Sequence, residues 1–313
     1  MAKIVVAAPV PDAALARLRP LAAVVDVSEL PREAWDGELR DAVGLLVSSG
    51  TAVDAALLAA APSLRIIATW SVGYDNIDVA ALRARGIVLT NARGTLDEAV
   101  ADTAWWLVMA AVRRYWRAAR WVQSGRWAHG DPPHGRDLRD ATLGIVGFGA
   151  IGAALARRAK ASSMRVIYAN RRPRDDDRET GASYRPLDAL LAESDCVVLL
   201  VPLTPETRGF FGEAAFARMK RDAVLVNVAR GAVVDTAALL RALDAGTIAG
   251  AALDVTDPEP LPSDDPLLNR DDILITPHIG SASVETRTRM ALNAAENLAA
   301  YLENRALLTP VAL

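Results

Sequence analysis

Along most of the chain, short apolar runs alternate with Ala-, Leu- and Arg-rich stretches of helical period. Runs without polar alternation read as strands buried on both faces, and the stretches between them as helices lying on those faces. Such an alternation predicts a parallel sheet covered by helices, and here it occurs twice. The first set puts strands at residues 4–7, 24–27, 44–47, 65–68 and 87–89, and helices at 13–19, 32–40, 52–60 and 79–85. One long helix is expected next, over 95–124, stopped by Gly125 and carrying Trp105, Trp106, Trp116 and Trp121. After the Pro-rich loop 130–135, the second set has strands at 142–146, 165–168, 196–201, 224–228, 249–254 and 273–276. A last helix, 284–302, has no strand left to connect in the second sheet. It is expected to cross back to the first, giving a discontinuous domain of 1–97 with 284–313 and a second domain of 98–283.

Length agrees with two domains: the chain has 313 residues, and single cores stop growing at about 250–300. A net charge of −3 argues against a general surface for nucleic acid or an anionic membrane. No stretch reaches the roughly 20 apolar residues of a membrane span. Asp12 interrupts the apolar start too early for a signal peptide. Cys196 is the only cysteine, so no intrachain disulfide forms, which fits a reducing compartment. A cytoplasmic location is the expectation.

The second set opens with Gly147-Phe148-Gly149-Ala150-Ile151-Gly152, directly after a predicted strand and before a predicted helix. That context turns a weak glycine pattern into a dinucleotide-binding signature. Gly147 permits the tight turn, Gly149 lets the backbone approach a pyrophosphate, and Gly152 lets helix pack on strand. The helix N-terminus then faces the phosphates. The next strand ends at Ala169-Asn170-Arg171-Arg172-Pro173-Arg174. NAD sites usually carry a carboxylate near here for the ribose hydroxyls. Its replacement by Asn170 and a basic cluster favours NADP(H), because Arg171 and Arg172 could pair with a 2′-phosphate. NAD(H) stays open if these arginines only form a solvated loop.

Open parallel sheets bind ligands beyond the carboxyl ends of their strands. At the later ends lie Pro202–Thr207, Asn227–Gly231, Asp254 followed by Thr256–Pro260, and Thr276–Gly280. Arg230, Glu259 and His278 therefore reach one crevice from three neighbouring ends. Arg230 could bind a carboxylate bidentately. His278 could exchange a proton near neutral pH, with Glu259 pairing with its imidazolium. Each has an ordinary alternative: an edge salt bridge, a cap histidine, a loop carboxylate. No cluster has metal-ligand spacing, and His129 and His134 only flank the Pro-rich loop.

At these residues the chain resembles the D-isomer-specific 2-hydroxyacid dehydrogenases. The signatures are Ser71-Val72-Gly73-Tyr74-Asp75-Asn76-Ile77-Asp78, Asn227-Val228-Ala229-Arg230-Gly231-Ala232-Val233-Val234-Asp235 and Thr276-Pro277-His278-Ile279-Gly280-Ser281. The match runs from about Ser48 to the C-terminus; the first 47 residues agree only in pattern. The resemblance implies a Rossmann doubly wound sheet for the nucleotide and a flavodoxin-like α/β substrate domain. It implies Arg230, Glu259 and His278 as the catalytic set, and the backbone N–H groups of Val72 and Gly73 as donors to the substrate carboxylate. Asp254 would meet the nicotinamide carboxamide and Ala150 and Ile151 the pyrophosphate. Pro202, Thr207 and Gly280 complete the expected cofactor set. Homodimers joined through the nucleotide domains and the Trp-bearing helix are also implied. Domain closure that excludes water is expected to hinge near Leu96 and Ser283. Within the family, Leu253–Pro262 resembles glyoxylate/hydroxypyruvate reductases, which commonly prefer NADPH. The chain departs from the family's commoner Val-Ala-Glu at Val100-Ala101-Asp102. The expected activity is reduction of a small 2-keto acid. A hydroxyphenylpyruvate or other 2-keto acid reductase is the alternative within the family, and a nucleotide-sensing regulatory binding protein the alternative outside it.

Overall fold

The computed structural model describes residues 1–174 and 180–313. By its internal contacts the chain forms two units, Met1–Leu96 with Ser283–Leu313, and Asp97–Ala282.

The first unit has five strands, β1 (Ala2–Val6), β2 (Ala22–Asp26), β3 (Gly44–Val47), β4 (Ile66–Thr69) and β5 (Val88–Thr90). They pair in the order β2-β1-β3-β4-β5, all parallel. This is the flavodoxin-like order. β3 and β4 are buried at every residue, as a sheet covered on both faces requires. Two of its helices, Ala55–Ala60 and Val79–Arg85, start at side-chain caps: Asp54 accepts from the N–H of Leu57, and Asp78 from that of Ala81. These side chains satisfy N–H groups that the first helical turn leaves orphaned. The C-terminal helix Val284–Leu302 belongs to this unit, where it packs on the helix Asp12–Leu18 and on β4. Its buried Met290, Ala291, Ala294, Ala295 and Leu298 form one helical stripe. The helix expected at 32–40 is instead a 3₁₀ turn, Arg32–Ala34, followed by a four-residue helix, Asp36–Leu39.

Among its described residues the second unit has seven strands where six were expected: β6 (Thr142–Val146), β7 (Arg165–Ala169), β8 (Ser183–Tyr184), β9 (Cys196–Leu199), β10 (Val224–Asn227), β11 (Gly250–Leu253) and β12 (Ile273–Ile275). Their order is β12-β11-β10-β9-β6-β7-β8, all parallel. The strand missed by pattern is β8, two residues long and with Ser183 exposed, too short to show a period. The chain reverses direction across the sheet between β6 and β9, the switch point at which such folds place a ligand.

The long helix expected over 95–124 is two helices, Asp97–Arg113 and Tyr115–Gln123, with Arg114 between them at φ +55°. The break is imposed from a distant loop. The N–H of Arg136 donates to the Val112 carbonyl at 2.9 Å, taking an acceptor that a continuous helix would give to residue 116. Gly135 lies so close that a Cβ there would fall 2.5 Å from the carbonyl of Arg113. The first of the two helices buries Ala101, Ala104, Leu107, Val108 and Ala111, and the second buries none of its residues. Among the described residues, no helix is long and apolar enough to cross a membrane.

Candidate active site

At the end of β6 the backbone turns through Gly147 with φ +95°. A Cβ there would meet the Leu200 carbonyl carbon and the Val201 nitrogen at 2.8 Å, so conformation and space both demand glycine. Gly152 packs the helix, its missing Cβ facing Phe148 at 3.2 Å and the Gly147 carbonyl at 3.3 Å. Gly149, by contrast, has open space where a side chain would be, and Ala150 beside it is exposed. Gly149 caps the twelve-residue helix Ala150–Ala161, whose first N–H groups open onto that space. This is a cradle shaped for a pyrophosphate, and the residues present fit a dinucleotide.

Asn170 braces the turn from β7. Its Oδ1 accepts from the N–H of Phe148 at 2.7 Å and its Nδ2 donates to the Phe148 carbonyl at 3.2 Å. The amide is thus turned onto the glycine-rich backbone. Arg174 donates to the same carbonyl at 3.3 Å and lies over the Phe148 ring. Phe148 in turn stacks on Tyr168, ring centroids 4.4 Å apart. Arg171 and Arg172 are exposed. The loop after β9 is knit by Thr207, whose Oγ1 donates to the Pro202 carbonyl at 2.7 Å. Nearby, the Glu206 carboxyl is held below its ordinary value by the Thr204 hydroxyl and its own backbone N–H, with a contribution from Arg171.

Three adjacent strands, β10, β11 and β12, deliver the remaining groups at the same edge. Asn227 shapes the β10 turn, accepting from the Ala229 N–H at 3.0 Å and donating to the Arg230 carbonyl at 2.9 Å. Gly231 then packs on the β11 loop so tightly that a Cβ would lie 1.9 Å from the carbonyl carbon of Thr256. This puts Arg230 beside the loop that carries Glu259. His278 Nδ1 and Glu259 Oε1 are 2.6 Å apart, a short, charge-assisted geometry. His278 itself holds φ +52°, a conformation that non-glycine residues adopt at a cost.

What holds that conformation is Asp254, 2% exposed. Its Oδ1 accepts from the Thr276 hydroxyl at 2.6 Å and the Ile279 N–H at 2.9 Å, and its Oδ2 from the Gly280 N–H at 2.8 Å. The Asp254 carbonyl also accepts from the N–H of His278 at 2.8 Å. A carboxylate offers about four acceptor positions. Three are filled here.

In the first unit, Val72 and Gly73 follow β4 and Trp70. Among the described residues neither N–H has a hydrogen-bond partner, while the carbonyls before each of them are held. The Ala92 N–H donates to the Ser71 carbonyl at 2.9 Å, and Asn91 Nδ2 to the Val72 carbonyl at 2.9 Å. Two open donors on a fixed backbone suit an anion.

A model of the D-isomer-specific 2-hydroxyacid dehydrogenase NAD-binding domain matches residues 105–280. The chain belongs to the D-isomer-specific 2-hydroxyacid dehydrogenases. A glyoxylate reductase of Korarchaeum cryptofilum is 52% identical over 253 residues, 80% of this chain and 76% of the relative. Glyoxylate/hydroxypyruvate reductase B of Citrobacter koseri is 45% identical over 302 residues, 94% of this chain and 93% of the relative. Among solved structures, the NADPH-dependent glyoxylate/hydroxypyruvate reductase of Sinorhizobium meliloti, in complex with NADP and malonate, superposes with a TM-score of 0.88. It is 37% identical to this dehydrogenase and covers 99% of this chain and 97% of its own.

Two parts of this dehydrogenase's site escape a sequence reading. Asp254 is expected only as a cofactor ligand, yet most of its acceptor capacity holds the His278 loop. Asn91 is not singled out at all. Each acts on residues far along the chain or on an unpatterned loop; a polar residue directly after a buried strand is the one available hint. Asp175–Glu179 lie outside the described residues, and no site residue was expected there. Among the described residues no group of His, Cys, Asp and Glu could hold a metal ion.

Proposed function

We propose that this dehydrogenase reduces a small 2-keto acid, glyoxylate or hydroxypyruvate, to the D-2-hydroxy acid, with NADPH preferred over NADH. The observation that carries the reading is the 2.6 Å His278–Glu259 contact on the same sheet edge as the Gly147 turn. A group able to give a proton and a cradle able to hold a nucleotide share one rigid scaffold. The names of the relatives support the choice of substrate.

Bound in the cradle, a nicotinamide cofactor supplies the hydride. The N–H groups at Gly149, Ala150 and Ile151 receive its pyrophosphate, with Gly147 and Gly152 allowing the approach, and Pro202, Thr207 and Gly280 line its path. Asp254 uses its remaining acceptor position for the carboxamide. Arg171 and Arg172 pair with the 2′-phosphate, while Asn170 supports the turn. Arg230 and the amides of Val72 and Gly73 bind the substrate carboxylate. His278 hydrogen-bonds the keto oxygen through Nε2, since Nδ1 faces Glu259, and gives its proton as charge builds there. Glu259 fixes the tautomer and the ring orientation.

The working form is proposed to be a cytoplasmic homodimer. Trp106, Tyr115, Val122 and Trp127 are exposed on one continuous segment of the nucleotide unit, an apolar surface that suits a second copy. The test of the activity is side-by-side oxidation of NADPH and NADH with glyoxylate, hydroxypyruvate and 4-hydroxyphenylpyruvate. Faster NADPH-dependent turnover of either small acid is expected. NADH preference would overturn the cofactor assignment, and preference for the aromatic acid the substrate assignment.

A further inference from the structure

We propose that Asn91 is a positioning residue for the two amides that receive the substrate carboxylate, and that the C-terminal segment around Thr309 holds Asn91 in place. This rests on the reading of Val72 and Gly73 given above. The peptide group is planar and trans, so its C=O and N–H point in opposite directions. Holding the Ser71 carbonyl therefore aims the N–H of Val72, and holding the Val72 carbonyl aims the N–H of Gly73. Both clamps come from the residues just after β5: Ala92 N–H to Ser71 O and Asn91 Nδ2 to Val72 O, each at 2.9 Å. Without the second clamp, Gly73 would be free to turn its amide plane, because glycine imposes so little on φ and ψ.

The orientation of the Asn91 amide is itself determined. Its Oδ1 accepts from the Arg93 N–H at 3.4 Å, so the donor end faces Val72. Asn91 is 8% exposed, and its backbone is tied to the chain end on both sides. Its N–H donates to the Thr309 carbonyl at 3.2 Å, and its carbonyl accepts from the Thr309 hydroxyl. Thr309 is held in turn by Asn297 of the C-terminal helix. Asn297 Oδ1 accepts from the N–H groups of Leu308 at 2.9 Å and Thr309 at 3.2 Å, and its Nδ2 donates to the Thr309 hydroxyl at 3.0 Å. The tail continues as an antiparallel addition to β5, with the Val311 N–H on the Leu89 carbonyl at 2.8 Å. The buried polar groups of this relay have partners, which makes it rigid and dear to disturb.

The test uses the full chain with Asn91→Leu, a neutral near-isostere without the donor, and Thr309→Val, which cuts the hydroxyl link. Oxalate binding to the NADPH complex is measured by calorimetry, and KM and kcat with glyoxylate by NADPH oxidation. Asn91→Leu should weaken oxalate and raise KM about tenfold, the effect of roughly one hydrogen bond. Carboxylate binding contributes alike to ground and transition states, so kcat should stay within about twofold. Thr309→Val should move the same quantities in the same direction by less. An unchanged oxalate Kd in folded Asn91→Leu overturns the proposal, as does an equal fall in kcat without a rise in KM. If Asn91→Leu does not fold, an unchanged oxalate Kd in Thr309→Val overturns it. Wild-type turnover tests the activity separately, since the oxalate ratio reads the clamp whichever keto acid is the substrate.

Discussion

Replacing Asp254 by Asn tests whether the His278 loop is held by charge. The substitution keeps the shape and one oxygen, which can still face the Thr276 hydroxyl and the Ile279 N–H, now at 2.6 and 2.9 Å from Oδ1. The other oxygen becomes an NH₂ aimed at the Gly280 N–H, 2.8 Å from Oδ2. That charge-assisted bond, worth about 1.5–3 kcal/mol, is lost. The two bonds that remain fall to roughly half their strength with a neutral acceptor. Against this, the variant no longer keeps a charge in a site only 2% exposed, which recovers part of the loss. A net weakening of about 2–4 kcal/mol is expected at this one loop. The left-handed backbone of His278 costs about 1–3 kcal/mol to maintain, so the weakening is enough to release it. If it is released, His278 no longer meets the keto oxygen, and kcat should fall toward the 10²–10⁴-fold or so that a positioned acid contributes. Urea unfolding and NADPH oxidation with glyoxylate read the two effects. Thr276→Val, which removes one donor and leaves the charge, should lower kcat only a few-fold, in keeping with roughly one neutral hydrogen bond. Wild-type stability together with wild-type kcat in Asp254→Asn would refute the anchoring role.

Three further outcomes are expected. His278→Ala should retain NADPH binding, measured by fluorescence titration, and lose about 10²-fold or more in kcat; unchanged turnover would reject it as the proton donor. Arg171→Ala with Arg172→Ala should raise KM for NADPH about tenfold or more and leave KM for NADH nearly constant, with the NADPH effect shrinking as salt screens it. Equal effects on both cofactors would count against the 2′-phosphate assignment. For Asp195, burial opposes ionisation, but the Thr142 N–H at 2.7 Å, Lys220 at 3.0 Å and Arg136 at 3.1 Å outweigh it and hold the carboxyl below its ordinary value. Its stabilisation is therefore complete above the unfolded value of about 3.9 and is lost as pH falls through the lower folded value. The urea midpoint of Asp195→Asn should drop less between neutral and strongly acid pH than that of the wild type, and parallel acid limbs would contradict this.

How far the sequence could be read follows from the range of each constraint. Residues 44–47 and 143–146 are unbroken runs without a polar side chain and lie in strands, because a parallel sheet covered on both faces asks for nothing else at those positions. The Gly147 turn is as readable: the positive φ and the Leu200 backbone both select glycine, and a glycine between a strand and a helix is visible in the sequence whatever selects it. β8 fails the same test, since two residues carry no period. The break at Arg114 fails it for another reason. Arg113-Arg114-Tyr115 contains no helix breaker, and what stops the helix is the Gly135–Arg136 backbone arriving from a later loop.

The same distinction runs through the site. Arg230, Glu259 and His278 are readable as candidates because each lies in the loop that follows a strand, and parallel strands put those loops at one edge. Asp254 and Asn91 look like ordinary polar residues at strand ends. What gives them their place is which groups they hold: Thr276, Ile279 and Gly280 for one, Val72 and Thr309 for the other. Hydrogen-bond partners of this kind are chosen by the fold after the strands are in register, so no spacing in the chain announces them. It follows that a substitution at Thr309 can reach the amides of Val72 and Gly73 through Asn91, while the candidate residues themselves stay untouched.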